Sequence, residues 1–449
     1  MSLVQRSDRG RTGIRVSPRS RAIPESWKRA AAAISMLWLS TAAGAGMVFL
    51  AQTLLARKLG PADYGLFASS LATVTMVAPL AGFGLSQFRL KAYGVEGWSA
   101  DRWLQPSLRF TAITALLAIG IIVAWSFVLA PTPATQFMLL VLSPVVLSVL
   151  AVDLLSSKLR LEEHYRQLAG WQLLIPGGRL AVATALWLVP SMGVDSVAAG
   201  YCAVSVAIVL LAMPQLRTMM RGEIVLHGHG PRDAQAPRAA SPDVRRLWSQ
   251  AWAYGVAAVL YPVFFQVSTV LLKYLNNDAQ AGRYGIALAV MTAIYLLPST
   301  IYQKFLLSKL HRWAAHDKPK FWRVYHRGNV AMLLCGLAVG IALAASAQWL
   351  VPIAFGHEYR GVVSILMVLA LCPPIRFLST AVGSALLTED HMRYRVRAMA
   401  LATVVAVALN LLLIPRFDEL GAACATVVAE AVLLLAMYRG VRRFSRDLA

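Results

Sequence analysis

The sequence predicts an all-α polytopic membrane protein: about 12 transmembrane helices in two six-helix lobes, with both termini cytoplasmic. Three observations predict it. Apolar residues make up 58% of the 449-residue chain and gather into stretches of about twenty, the length that carries a helix across the hydrocarbon. Lys and Arg crowd into every second loop between those stretches. The second half of the chain repeats, in order, features of the first.

The chain opens with a basic tail, 1–33, holding Arg6, Arg9, Arg11, Arg15, Arg19, Arg21, Lys28 and Arg29. Ala31 runs straight into a full-length apolar stretch with no small-residue cleavage site, so the tail reads as a retained cytoplasmic segment and not as a removed signal. Spans are then expected at 34–56, 65–88, 108–130, 134–155, 168–189 and 194–214, together an N-lobe over 34–214. The hydrophilic stretch 215–247, with Gly222, Gly228, Gly230, Pro231, Pro237 and Pro242, reads as a flexible cytoplasmic linker. Spans at 248–272, 284–307, 329–352, 361–382, 398–415 and 418–438 make a C-lobe over 248–438. A basic cytoplasmic tail, 439–449, ends the chain.

Orientation follows from the cations. Arg89, Lys91, Lys158, Arg160, Arg217, Arg245, Lys318, Arg327 and Arg393 share alternate loops with the N-terminal tail, whereas the intervening loops hold only Arg57, Lys58, Lys273, Arg283, Arg360 and Arg416. The richer side is expected to be cytoplasmic. The formal charge of +22 therefore sets topology and meets anionic lipid, and it does not imply a nucleic-acid partner. Cys202, Cys335, Cys372 and Cys424 stand singly inside spans, as packing residues without metal-ligand spacing.

An enzyme embedded in the membrane, such as a glycan polymerase or ligase, is the rival class. It calls for substantial extracytoplasmic loops, and those here are short. His227 and His229 lie in the flexible linker without Cys or carboxylate partners at ligand spacing, and the chain has no phosphate-cradling Gly loop, no His-Glu-x-x-His helix and no serine elbow. No enzyme activity, cofactor or metal is expected.

Charges within spans are the next signal, because each costs about 2.5–3.5 kcal/mol or more unless it faces protein or water. Asp153 late in the fourth span, Arg179 in the fifth and Arg376 in the tenth qualify. Arg179 follows Pro176-Gly177-Gly178, which loosens helix hydrogen bonding, and Arg376 follows Pro373-Pro374. Two such arginines suit a phosphate-bearing ligand, which guanidinium binds bidentately. The structural alternative is an internal ion pair between Asp153 and Arg179, and Glu430 in the last span reads more readily as a helix-packing residue. Arg89 and Lys91 at the end of the second span, with Lys304 near the inner end of the eighth, are candidates for recruiting an anionic headgroup; the alternative is that they anchor helix ends by snorkelling.

The halves echo each other. Leu161-Glu162-Glu163-His164-Tyr165-Arg166 follows the fourth span and Thr388-Glu389-Asp390-His391-Met392-Arg393 the tenth; Tyr64-Gly65 recurs as Tyr284-Gly285, and Pro190 as Pro415. Pro79 pairs with Pro298 and Pro144 with Pro373, so interrupted helices are expected at matched places. Duplicated lobes of this kind place a site at their interface, an architecture suited to transport.

A family resemblance joins this reading at Leu54-Leu55-Ala56-Arg57-Lys58-Leu59-Gly60-Pro61-Ala62-Asp63-Tyr64-Gly65-Leu66, followed by Gly82-Phe83-Gly84-Leu85-Ser86 and Arg89. In the second half it continues through Phe355-Gly356-His357-Glu358-Tyr359, Leu387-Thr388-Glu389-Asp390, Asn410 to Pro415, and Gly421-Ala422-Ala423 with Glu430. The pattern resembles the polysaccharide-biosynthesis, Wzx-type flippases of the multidrug/oligosaccharidyl-lipid/polysaccharide superfamily, whose fold is shared with the MATE exporters. It departs at Asp418-Glu419, where glycine is expected after Arg416-Phe417.

The resemblance implies a transporter of undecaprenyl-diphosphate-linked oligosaccharide units across a bacterial inner membrane, for O-antigen or exopolysaccharide synthesis by alternating access. A lipid II or drug exporter of the same superfamily is the alternative. Expected partners are the polyprenyl-diphosphate glycan and membrane lipids, with glycan-polymerising and chain-length machinery as candidate protein partners. Arg179, Arg376, Arg89 and Lys304 are the candidate substrate-binding residues, and Asp153 is the coupling-ion candidate.

Overall fold

The computed structural model describes residues 25–226, 241–299, 318–386 and 392–446. Among these residues the regular secondary structure is entirely helical. The helices are α1 (Glu25–Val77), α2 (Pro79–Gly82), α3 (Leu85–Glu96), α4 (Leu104–Val128), α5 (Pro133–Leu142), α6 (Val145–Leu161), α7 (Tyr165–Leu188), α8 (Val194–Met220), α9 (Val244–Leu275), α10 (Asp278–Ser299), α11 (Lys318–Phe355), α12 (Gly361–Leu369), α13 (Cys372–Ala385) and α14 (Met392–Arg446). Each predicted span falls on helix, the eighth within its described part.

Why so much helix is plain from the solvent implied by the sequence: a backbone in hydrocarbon must satisfy its own N–H and C=O groups. Hydroxyls inside the helices do likewise, with Ser69 and Thr73 donating to the carbonyls of Gly65 and Ser69 at 2.6 and 2.9 Å. Large apolar side chains stay exposed on the outer faces, among them Leu116, Phe127, Ile341 and Trp349. Seven stretches of the described helix, the longest being Ser35–Val128, are long and apolar enough to cross a membrane. The two long helices outside that set, α7 and α10, face the cavity described below.

Chain breaks have local causes. Ser143-Pro144 separates α5 from α6, and α13 begins at Cys372 with Pro373 and Pro374 in its first turn, because proline has no N–H to continue the ladder. The matched interruption expected from Pro144 and Pro373 is therefore present. Pro79 opens the single-turn α2, and Phe83 and Gly84 leave it with φ of 40° and 66°. Pro298 lies within α10, one residue from its described end. The Pro176-Gly177-Gly178 run, by contrast, does not interrupt α7. Pro176 touches α1 at Gly44, and a Cβ on Gly178 would sit 2.4 Å from Val204 of α8, so this run lets neighbouring helices approach and does not open the backbone.

Helix also extends beyond the predicted domain edges. It starts at Glu25 within the tail predicted over 1–33, runs to Met220 and resumes at Val244 inside the predicted linker, and reaches Arg446 near the C-terminus. His227 and His229 lie outside the described residues. The loop predicted at 57–64 is reduced to one residue, Gly60, with φ 74° and ψ 172°. Asp418 performs the same turn inside α14 with φ 52° and ψ −136°, at the place where the sequence lacks the expected glycine.

Contacts define two ends of the bundle. At one, Arg57 donates to the Ile353 carbonyl, the Tyr359 hydroxyl donates to the Ala56 carbonyl at 3.0 Å, Trp125 Nε1 donates to the Tyr274 hydroxyl at 2.7 Å, and Arg283 pairs with Glu419 at 3.0 Å. The lobes meet here backbone to backbone: a Cβ on Gly65 would lie 1.7 Å from the Asp278 carbonyl oxygen, and one on Gly282 would lie 2.6 Å from that of Pro61. Only glycine permits such a crossing. At the other end Phe83 stacks on Trp248 at 5.0 Å, Lys158 donates to Thr218 at 2.8 Å, and Ser241 donates to the Arg102 carbonyl at 3.3 Å.

Candidate binding cavity

Two adjoining cavities lie between the lobes. The first, about 560 Å³, is walled by α1, α7, α8, α9 and α10 and includes Gln52, Tyr64, Gln172, Arg179, Tyr201 and Gln266. The second, about 890 Å³, is walled chiefly by α9, α10, α13 and α14, with Gln87 and Tyr254 near one end and Arg376 and Arg395 on its side. They share Thr75, Gln266, Leu288, Thr292 and Leu296 as a common wall. Among the described residues no Asp or Glu lines either cavity.

The cavities overlap in depth, the first running from Ser40, Thr41 and Gln172 to Tyr64. Tyr64 of the first meets Tyr359 edge-on at 6.4 Å, which puts one end of that cavity next to the glycine-sealed end. Tyr254 of the second lies under the Lys91 ammonium at 5.9 Å, toward the opposite, cation-rich end.

Arg179 is carried into the first cavity by the continuous α7. Its guanidinium lies 5.4 Å from the Tyr201 ring centroid, and among the described residues no carboxylate approaches within ion-pair distance. The alternative pairing of Arg179 with Asp153 is therefore absent. Asp153 instead accepts a hydrogen bond from Ser86, where helix α6 passes α3. It lies outside both cavity walls and interacts electrostatically with Arg89.

Arg89 departs from expectation. It is 3% exposed, with its guanidinium directed at Met219 Sδ and Ser157 Oγ, each 3.3 Å away, inside a cluster of Leu85, Phe88, Trp103 and Leu154. A side chain so enclosed holds α3, α6 and α8 together and presents no exposed cation, unlike the accessible headgroup-recruiting residue expected from the sequence. Lys304 lies outside the described residues.

Arg376 sits on the cavity wall with company the sequence did not reveal. Its Nη1 donates to Glu430 Oε1 at 3.1 Å, its Nη2 donates to the Tyr261 hydroxyl at 3.3 Å, and the guanidinium lies 4.8–5.6 Å from the rings of Phe265, Tyr295 and Tyr261. Glu430 is fully buried, so its role is that of counter-ion and not of helix packing alone. Arg395, in the first turn of α14, lines the same cavity, feels the charge of Arg376, and has no carboxylate in ion-pair reach among the described residues. Sequence reasoning missed Arg395 because it sits among loop cations. The amides Gln52, Gln172 and Gln266 were missed as well, although uncharged polar residues within apolar runs are a usable signal.

Chemically the site offers guanidiniums for oxyanions, amides for hydroxyls and aromatic rings for the faces of sugar rings. Among the described residues no group of three His, Cys, Asp or Glu side chains is placed to hold a metal ion.

Comparison with known proteins gives a consistent context. Residues 30–306 match the model of a family described as polysaccharide biosynthesis protein. A relative from Haloferax volcanii, described as the probable low-salt glycan biosynthesis flippase Agl15, is 23% identical over 403 residues, spanning 88% of this chain and 80% of its own. Among solved structures, the lipid II flippase MurJ in an inward closed conformation superposes with a TM-score of 0.67 at 12% identity, covering 90% of this chain and 87% of MurJ. An inward-facing MATE-family multidrug transporter superposes at 0.66 with 13% identity, covering 90% and 95%. Those two similarities show a common fold.

Proposed function

The chain belongs to the polysaccharide biosynthesis protein family, and from that premise we propose that it is a flippase for polyprenyl-diphosphate-linked oligosaccharides. The bound unit is carried from the cytoplasmic to the outer leaflet, with undecaprenyl diphosphate as the carrier in a bacterial inner membrane and a surface polysaccharide as the end product. The observation that supports this most directly is the composition of the central cavities: Arg179, Arg376 and Arg395 on the walls, and among the described residues no acidic side chain.

Such a lining favours an anion and rejects cations, so a cationic drug is disfavoured as cargo. The diphosphate meets guanidinium, the sugars meet glutamine amides and tyrosine rings, and the polyprenyl chain stays in lipid. No bond is made or broken. The lobes would alternate between closure at the Gly65–Gly282 crossing and closure at the opposite end, exposing the cavity to each side in turn. In this reading the cation-rich end, with Lys91, Lys158 and Arg217, faces the cytoplasm.

Deletion of the gene tests the proposal. Polyprenyl-linked oligosaccharide should accumulate in the cytoplasmic leaflet while surface glycan is lost; the wild-type gene should restore export and Arg395→Gln should restore it poorly. Normal surface glycan without accumulation would overturn the proposal.

A further inference from the structure

The two lobes finish differently at the cation-rich end. In the N-lobe the chain answers its own cations: Lys158 pairs with Glu162 at 3.7 Å, Arg102 pairs with Glu96 at 3.0 Å, and Arg89 is enclosed. In the C-lobe the start of α11, the start of α14 and the end of α14 each carry two exposed arginines one turn apart: Arg323 and Arg327, Arg393 and Arg397, Arg439 and Arg443. Among the described residues none of the six has a carboxylate within ion-pair distance. Asp317, Glu389, Asp390 and Asp447 lie outside the described residues. Like charges at i,i+4 oppose the helix that carries them, so three such pairs point to an anion supplied from outside the chain.

The three ends form one surface. The Tyr394 hydroxyl donates to the Ala436 carbonyl at 2.7 Å, a Cβ on Gly440 would lie 2.2 Å from the Tyr394 ring, and Tyr325 of α11 is buried in one cluster with Met437 and Val441. Depth identifies the occupant. Val330, Leu401 and Leu435, each more than half exposed, mark where the apolar outer face of each helix begins. At a rise of about 1.5 Å per residue, the nearer arginine of each pair stands roughly 5–6 Å beyond that boundary along its helix, and the farther one roughly 10–12 Å. A headgroup layer is about 5–8 Å thick on each face of the bilayer, so one arginine of each pair lies within it and the other at its edge.

We infer that this face of the C-lobe is a binding site for anionic phospholipid, its phosphodiester oxygens held by the paired guanidiniums. The residue type supports it: orientation in the membrane is served equally by lysine, whereas the planar fork of arginine takes two phosphate oxygens at once. Leu401 and Val404 beyond Arg397, and Leu435 beyond Arg439, offer the acyl chains an apolar wall. None of the six arginines lines either cavity, so this lipid is a resident of the protein's outer face and not its cargo.

The test uses the purified full-length protein in detergent with phosphatidylglycerol and phosphatidylcholine of matched acyl chains, read by native mass spectrometry for lipid retained and by melting temperature. Wild type should hold phosphatidylglycerol about tenfold more tightly and melt higher in its presence. Arg393→Gln with Arg397→Gln should lose most of that preference, and Arg393→Lys with Arg397→Lys should keep part of it. Arg160→Gln with Arg166→Gln, which neutralises two exposed N-lobe cations flanking Glu162 and Glu163 in the sequence, should keep it all. Equal retention of the two lipids by wild type would overturn the inference without any variant being made. So would an equal loss of preference in the N-lobe variant, which would reduce the effect to net charge. Binding of a polyglutamate peptide at this face with no preference for phosphatidylglycerol would overturn it as well, and would assign the surface to an acidic protein segment.

Discussion

Arg376 and Glu430 are separated by 54 positions in the chain and joined at 3.1 Å in the fold, with side chains 12% and 1% exposed. Removing one partner of such a pair strands the other's charge, at a cost of about 3–5 kcal/mol. Arg376→Gln should therefore lower the amount of folded protein, and Arg376→Gln with Glu430→Gln should recover it while export stays reduced, as measured by membrane abundance and surface glycan. Recovery of full export in the double variant would make the pair purely structural. Asp418 supplies a second residue-scale prediction, since its φ of 52° with ψ −136° is a conformation only glycine adopts without strain. Asp418→Gly should stabilise the protein by about 1 kcal/mol, read as a higher melting temperature in detergent; an unchanged or lower value would contradict it. Sequence reading found Arg179 and Arg376 because a charge in an apolar run is conspicuous. It could not find the Glu430 partnership, which depends on how α13 packs against α14, and it mistook Arg89 for an accessible cation because enclosure by Ser157 and Met219 is invisible until three helices are assembled.

Helices and their crossings carry the next set of consequences. Proline announced the breaks at Pro144 and Pro373 correctly, since the missing N–H is a local fact. Pro176-Gly177-Gly178 announced a break that α7 does not have, because contacts with Gly44 and Val204 on neighbouring helices use the small residues for close packing. The crossing of α1 and α10 at Gly65 and Gly282 was legible only as a repeated Tyr-Gly pair, with no hint that the backbones touch. Gly65→Val should prevent closure at this end, because even a Cβ would overlap the Asp278 carbonyl oxygen. Spin labels at Ala62 and Arg360 should then report a longer distance than in an otherwise unaltered protein, together with slower export. An unchanged distance in a folded variant would mean that the crossing does not gate the lobes.

At the scale of the whole molecule, two lobes were readable from span lengths, alternating cations and ordered repeats, all of which are properties of the chain in sequence. The cavities between them were not, since their walls draw single residues from helices far apart in sequence: Gln52 of α1, Gln172 of α7 and Gln266 of α9. The orientation proposed from the cations predicts that reporter fusions after Gly60 and Asp278 read extracytoplasmic and those after Gly230 and Lys318 cytoplasmic; a cytoplasmic signal at Asp278 would contradict the two-lobe topology. The central claim, that this cation-lined space moves a lipid-linked glycan unaided by covalent chemistry, is tested most directly by reconstitution. Proteoliposomes containing only this protein and a fluorescent polyprenyl-diphosphate oligosaccharide should expose the glycan to a membrane-impermeant reagent much faster than protein-free vesicles do, and Arg395→Gln should slow that exposure. Exposure no faster than in protein-free vesicles would contradict the account.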